Sequence, residues 1–249
     1  VNPKPMVRPL LMSTTALLIR SVSSLQGIPM PLCLGSKSTS RTALLKETGI
    51  PFEPLLYPID EKAIGNRDED DPSALVTKIA VAKADAIVSA VRRGDLKLPA
   101  PLALDDGIGA CILTADQVVV CDGVIREKPR DLDEAISFVR NYGTKPPETV
   151  GSVVLTHMPT GAQAIRTFIG RVVFEDRIGA EAESLVRAIE ADKDENGGIS
   201  CLDCAGGLMV ENERVQAYVE RVEGGEDAVM GLRKEAVLEV MKELSEALS

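Results

Sequence analysis

The chain contains no tryptophan, three tyrosines and four phenylalanines in 249 residues. A stacking platform for single-stranded nucleic acid needs exposed aromatic rings, and this composition argues against one. There is no excess of basic residues either, because the formal net charge is −10. That balance disfavours nucleic acid and anionic membrane surfaces as partners. An anionic substrate would need a locally basic pocket, a divalent cation, or both. Long apolar runs are also missing: the longest near the start, Ala16 to Ile19, is far too short to span a membrane.

Histidine occurs once, at His157, and cysteine five times, at positions 33, 111, 121, 201 and 204. An odd, scattered set is not a secreted disulfide framework and points to a reducing compartment. Cys201 and Cys204 form a lone CxxC. Without a second pair or more histidines, packed thiols explain it better than zinc or redox chemistry. Residues 1–29 read as an extension ahead of one domain over 30–249. The first 46 residues carry Lys4, Arg8, Arg20, Lys37, Arg41 and Lys46 but no acid, and residues 6–25 are serine-rich. That resembles an organelle transit peptide. A surface extension on a cytoplasmic protein is the simpler expectation.

What is present is organised around residues 34–45, LGSKSTSRTALL. An apolar strand end, a polar turn and a helix start follow one another here. A helix entered this way points unpaired N–H groups and its positive dipole end outward, which makes an anion site. Ser36, Ser38 and Ser40 add hydroxyls and Arg41 a fork matched to phosphate oxygens. From the stretch alone, an ordinary Ser/Thr cap with a solvated arginine is the simpler account. The spacing is not that of a Walker loop.

Further along, Thr39–Thr48 reads as a helix closed by Gly49 and Pro51, and 52–57 as a strand. Residues 65–73 form an acidic loop, and Leu75–Val91 has the helical period. Residues 92–109 read as a long connection. Cys111–Val120 is an apolar strand interrupted by Asp116 and Gln117. A carboxylate buried there costs several kcal/mol unless it is paired or binds a metal, so Asp116 points to function. A capping-box start at Asp131–Glu134 opens a helix to about Asn141. Two strands, 149–156 and 164–174, flank the turn MPTG as a hairpin. Helical spacing follows over 179–191, a polar loop over 193–198, a helix over 211–222 and a closing amphipathic helix over 232–248. Crossover and hairpin signals together imply an α/β fold with a mixed sheet.

LGSKSTSRTALL with GIPFE, IDEKAI, IAVAKADAIV, TADQVVV, EKP and CAGGLMVENE with VMGL occur in this order. In this order they resemble a Maf protein over about residues 32–248. The resemblance implies a long mixed β-sheet flanked by helices, with two lobes and a substrate cleft between them. It also implies hydrolysis of a nucleoside triphosphate to the monophosphate and pyrophosphate, assisted by Mg²⁺, with Mn²⁺ or another divalent cation as a substitute. Ser36, Ser38 and Arg41 match the family's phosphate-binding turn. Asp116 matches its catalytic aspartate, Glu61 its acidic residue for a metal shared with Asp116, and Lys83 and Lys128 its phosphate-holding lysines. Positions Ser40, Gln117 and Glu211 match those used for base selection. The usual Ser-Pro-Arg-Arg reads Ser38-Thr39-Ser40-Arg41 here, and the tryptophan frequent in the methyl-guanine branch is absent. Gln117 with Glu211 leans toward 7-methyl-GTP, because a carboxylate accepts from the guanine N1–H and N2–H₂ edge. The alternatives are dTTP or UTP, or a non-catalytic nucleotide-binding regulator of septum formation. A homodimer is a further expectation of the resemblance.

Overall fold

The computed structural model describes residues 31–99, 110–196 and 198–249. The extension expected over 1–29 and the second half of the connection expected over 92–109 lie outside them. Among the described residues no helix is long and apolar enough to cross a membrane.

Seven strands form one mixed sheet: β1 (Leu32–Leu34), β2 (Phe52–Pro54), β3 (Cys111–Cys121), β4 (Val124–Arg126), β5 (Glu148–His157), β6 (Gln163–Phe174) and β7 (Val219–Glu223). Their order is β2-β1-β3-β5-β6-β7, and β4 pairs with β3. The first three run parallel and all other pairings are antiparallel. The parallel half is explained by its crossovers. Helix α1 (Thr39–Glu47) links β1 to β2, and α2 (Pro72–Arg93) lies between β2 and β3. The antiparallel half contains two hairpins, β3–β4 and β5–β6, with Asp122 and Gly123 at φ 54° and 74° turning β3 into β4.

Local chemistry sets the helix ends. Ser38 caps α1 by accepting from the Arg41 N–H at 3.2 Å, and Asp71 caps α2 by accepting from Ala74 N–H at 3.0 Å. Pro72 occupies the first turn of α2, and Gly94 closes it in the left-handed region. The apolar stripe of α2, including Leu75, Val76, Ile79, Ala84 and Ile87, is buried against β3 and β5. Helix α3 (Leu132–Tyr142) starts at Asp131, which accepts from Glu134 N–H at 2.8 Å, while the Glu134 carboxylate accepts from Arg130 N–H. The return bond of this capping box therefore falls one residue early.

Two apolar clusters sit at opposite ends of the long strands, and these are the two lobes. One joins β1 and α1 to the first half of β3, the end of β5 that pairs with it, the start of β6, and α8 (Lys234–Ala247). The other joins α3, the end of β6, α4 (Arg177–Ala180) and α5 (Ala182–Asn196).

Several expected boundaries move. The helix expected over 211–222 is a single turn, α6 (Glu213–Gln216), followed by strand β7. Val222 pairs with Val172 on β6, and sheet pairing satisfies backbone groups that β6 would otherwise expose. The strand expected over 52–57 stops at Pro54, which has no N–H to donate. The helix over 179–191 is broken at Glu181 and runs on to Asn196, taking in part of the loop expected over 193–198. A last short helix, α7 (Glu226–Val229), leads into the turn before α8.

Candidate active site

Strand β1 ends at Leu34, while β3 continues for eight more residues past its partner Leu113. The chain leaves β1 at Gly35, whose N–H donates to Leu113 O at 2.8 Å. A Cβ on Gly35 would lie 2.6 Å from Ile87 Cδ1 and 2.8 Å from Thr114 Cγ2, so only glycine lets this turn seat against both elements. The open edge of β3 beyond that turn forms one wall of a cavity of about 780 Å³ between the lobes. Parallel strands whose neighbours diverge leave a crevice at their carboxyl ends, where α/β proteins bind ligands. Ser36, Ser38, Ser40, Arg41, Glu61, Lys83, Asp116, Gln117, Lys128 and Glu211 all line this cavity.

The two faces of β3 separate the chemistry. Thr114, Asp116 and Val118 face α2, whereas Leu113 and Ala115 face α1 and α8. Buried Thr114 donates its hydroxyl to Ala80 O at 2.7 Å, which pins α2 to the strand. One turn further along α2, Lys83 Nζ lies 2.7 Å from Asp116 Oδ1, two residues along β3. The same ammonium lies 3.0 Å from Glu61 Oε2 on the 3₁₀ turn Glu61–Ala63. Burial pushes the Asp116 carboxyl above the usual 3.8, although Lys83 and Arg41 pull the other way. Asp116 Oδ2 has no protein donor among the described residues, so it can accept from a ligand or water.

On the other side, Arg41 is only 8% exposed. Its Nε donates to Gly231 O at 2.9 Å, Nη1 to Ala115 O at 2.9 Å and Nη2 to Gln117 Oε1 at 3.1 Å. The guanidinium thus satisfies the open edge of β3, and three of its five donors are held by the protein. Burial lowers its pKa, and Asp116 and Glu61 counter that shift. The serine turn is also internally bonded. Ser36 Oγ accepts from Ser38 N–H at 3.2 Å and Ser38 Oγ from Arg41 N–H, which leaves both hydroxyl hydrogens to donate. Lys37 and Lys128 line the cavity as exposed cations without a carboxylate partner among the described residues.

Among the described residues no three His, Cys, Asp or Glu side chains converge as a metal cage. Asp116 and Glu61, which share the Lys83 ammonium at 2.7 and 3.0 Å, are a two-carboxylate set of the kind that holds magnesium together with substrate phosphates and waters. Cys201 and Cys204 are free thiols, pushed up to about 12 and about 11 by burial, which suits packing rather than ligation.

Sequence reasoning missed three residues that brace the walls. Arg67 donates to Glu61 O at 2.8 Å and to Glu127 Oε1 at 3.1 Å, tying the Glu61 turn to the segment that carries Lys128. Tyr142 donates to Gly206 O at 2.6 Å and holds the loop leading to Glu211. Glu190 accepts from Ser200 Oγ at 2.8 Å and Cys201 N–H at 2.6 Å at the start of that loop. Only the surplus of acids around Arg67 was a visible signal.

A mixed-sheet α/β protein with a carboxylate–lysine cluster in an interlobe cleft is the class that fold and site define. The Maf-like protein family matches residues 31–244, and the chain belongs to it. A 7-methyl-GTP pyrophosphatase of Dictyostelium discoideum is 30% identical over 216 residues, covering 87% of this chain and 98% of the relative. A dTTP/UTP pyrophosphatase of Salinibacter ruber is 32% identical, covering 81% and 85%. A nucleoside triphosphate pyrophosphatase of a Synechococcus species is 28% identical, covering 88% and 96%.

Proposed function

We propose that this nucleoside triphosphate pyrophosphatase takes 7-methyl-GTP as its preferred substrate, with Asp116 as the base. The carrying observation is a buried carboxylate in the middle of a strand, paired with Lys83 and open to the cavity on its other oxygen. In the reaction, water attacks the α-phosphorus and gives its proton to Asp116 Oδ2. The bond from the α-phosphorus to the bridging oxygen breaks, and pyrophosphate leaves with the electron pair. Lys83 holds Asp116 in place and keeps its ionised form available inside the protein. Ser36, Ser38, Lys128 and Lys37 bind phosphate oxygens and offset the charge that grows on the leaving group. Glu61 and Asp116 would hold a divalent cation, which when bound supplies Lewis-acid neutralisation of the triphosphate.

Glu211 supports the base assignment. It is an exposed carboxylate on the cavity wall, able to accept from the guanine N1–H and N2–H₂ edge. Dictyostelium's 7-methyl-GTP enzyme, aligned over nearly its whole length, supports it too. The Salinibacter relative favours dTTP and UTP as the second reading. Pyrophosphate release from 7-methyl-GTP, GTP, dTTP, UTP, CTP and ITP with Mg²⁺ separates the two. A higher kcat/KM for 7-methyl-GTP is expected; a dTTP or UTP preference keeps the chemistry and replaces the base.

A further inference from the structure

We infer that Arg67 is a positioning residue for the triphosphate site: it sequesters the Glu127 carboxylate and so keeps the adjoining Lys128 ammonium free for phosphate. This rests on the reading of the cavity as a triphosphate site, and it gives a role to two residues that do not line it. An acid directly before a phosphate-holding lysine is a hazard. It places negative charge where a polyanion must settle, and it competes for the same ammonium. Neighbouring opposite charges do pair elsewhere in this chain. Lys193 Nζ lies 3.4 Å from Asp194 Oδ1, and Arg221 Nη1 lies 3.0 Å from Glu220 Oε1. Glu127 and Lys128 are both exposed, yet Glu127 Oε1 accepts from Arg67 Nε at 3.1 Å instead.

Arg67 is held in place for this task. Its Nη2 donates to Glu61 O at 2.8 Å, and its Nη1 donates to Ile64 O and lies 3.4 Å from Lys62 O. These carbonyls belong to the 3₁₀ turn Glu61–Ala63 and its cap, where helix geometry leaves acceptors short of donors. With both terminal nitrogens engaged there, Nε is the edge that meets Glu127. Two acids further along the same loop are occupied elsewhere. Asp70 accepts from Asn66 N–H and pairs with Lys78, and Asp71 caps α2. The Glu127 main chain is fixed from the other side, because its carbonyl accepts from Gly206 N–H at 3.1 Å. Loss of Arg67 therefore frees the carboxylate and not the segment. A rotation of that one side chain then brings it to Lys128.

Titration calorimetry with inorganic tripolyphosphate in EDTA reads the cations of the site without a divalent ion. Arg67→Gln should weaken binding about tenfold, the worth of one charge-assisted contact. Adding Glu127→Gln to that variant should restore the affinity to within about threefold of wild type, because the competing charge is gone. Arg67→Lys should stay within about the same limit, since one ammonium still pairs with Glu127 although it cannot span the three carbonyls. Melting temperatures of all three should lie within about 3 °C of wild type, because an ion pair this exposed adds little. An Arg67 that only braces the turn predicts the opposite pattern: Arg67→Lys as weak as Arg67→Gln, and no recovery on adding Glu127→Gln. Either of those results, or undiminished binding in Arg67→Gln, overturns the inference. A wild type that binds no tripolyphosphate overturns it together with the reading of the cavity. The expected pattern with no pyrophosphate release from any triphosphate would sink the hydrolase reading and leave this inference standing.

Discussion

Asp116 and Glu190 are both buried carboxylates, 7% and 9% exposed, and each has a lysine partner. Their protons nevertheless behave in opposite ways. Burial raises the Asp116 pKa, and one ammonium at 2.7 Å does not cancel the effect. Burial pushes Glu190 upward too, but Ser200 Oγ, Cys201 N–H and Lys193 together hold it below its ordinary 4.5. The difference lies in how many donors each anion has been given. Glu190 is satisfied and stabilises the start of the loop that lines the cavity. Asp116 is left an oxygen short, which is the condition of a group meant to bind something else.

The largest expected contrast is therefore between their amides. Asp116→Asn should lower kcat/KM for pyrophosphate release by a factor on the order of 10³, as loss of a general base does. Its melting temperature should stay level or rise, because a buried charge is removed and Lys83 keeps Glu61. Glu190→Gln should do the reverse. Its amide would set hydrogens against Lys193 or the Cys201 N–H, and the unmet donors cost about 1–3 kcal/mol in a urea titration. Activity per folded molecule should fall only a few-fold. The comparison breaks if Glu190→Gln is the more severe catalytic defect at a temperature where both variants are folded.

The pH dependence sharpens the same contrast. Asp116 takes up its proton at a higher pH in the fold than in the unfolded chain. Its ionisation therefore weakens the fold as pH rises through 3.8 toward the raised value. Glu190 has the opposite sign. Its stabilisation is complete above 4.5 and is lost only as pH falls through its depressed folded value. Between the two, the protein is intact with its base protonated. The acid limb of kcat/KM should sit above 3.8, the ordinary aspartate value, and recover fully when the pH is returned. Circular dichroism at the same pH should show no unfolding. Simultaneous loss of activity and structure would contradict the assignment.

How much of this was legible depended on the range of the interaction. Asp116 could be singled out because a carboxylate in an apolar strand is anomalous within ten residues. Ser38 and Asp131 act on neighbours along the chain, so those two helix starts followed from local chemistry. Arg41 was legible as a cation of the turn but not as a buried one. Its acceptors, Ala115 and Gly231, lie 74 and 190 residues away. Glu190 looked like any acid on a helix, since its value depends on a loop that returns only after a change of direction. The segment 219–223 alternates Val and charge weakly enough to suit helix or strand, and the unpaired edge of β6 decided it.

The smallest expected effect tests how Lys83 is delivered to Asp116. Thr114 ties β3 to α2 through Ala80 O, one helical turn before Lys83. Thr114→Val keeps the size and branching and removes only that bond. Ala80 O retains its helical N–H donor, so no carbonyl is orphaned and the stability cost should be about 1 kcal/mol. A slight release of α2 lengthens the Lys83–Asp116 contact, and kcat should fall about two- to fivefold with KM little changed, since catalytic geometry tolerates little displacement. A change in KM alone would mean that Lys83 serves mainly to bind phosphate. In that case Lys83 would bear on substrate affinity and not on the reactivity of Asp116.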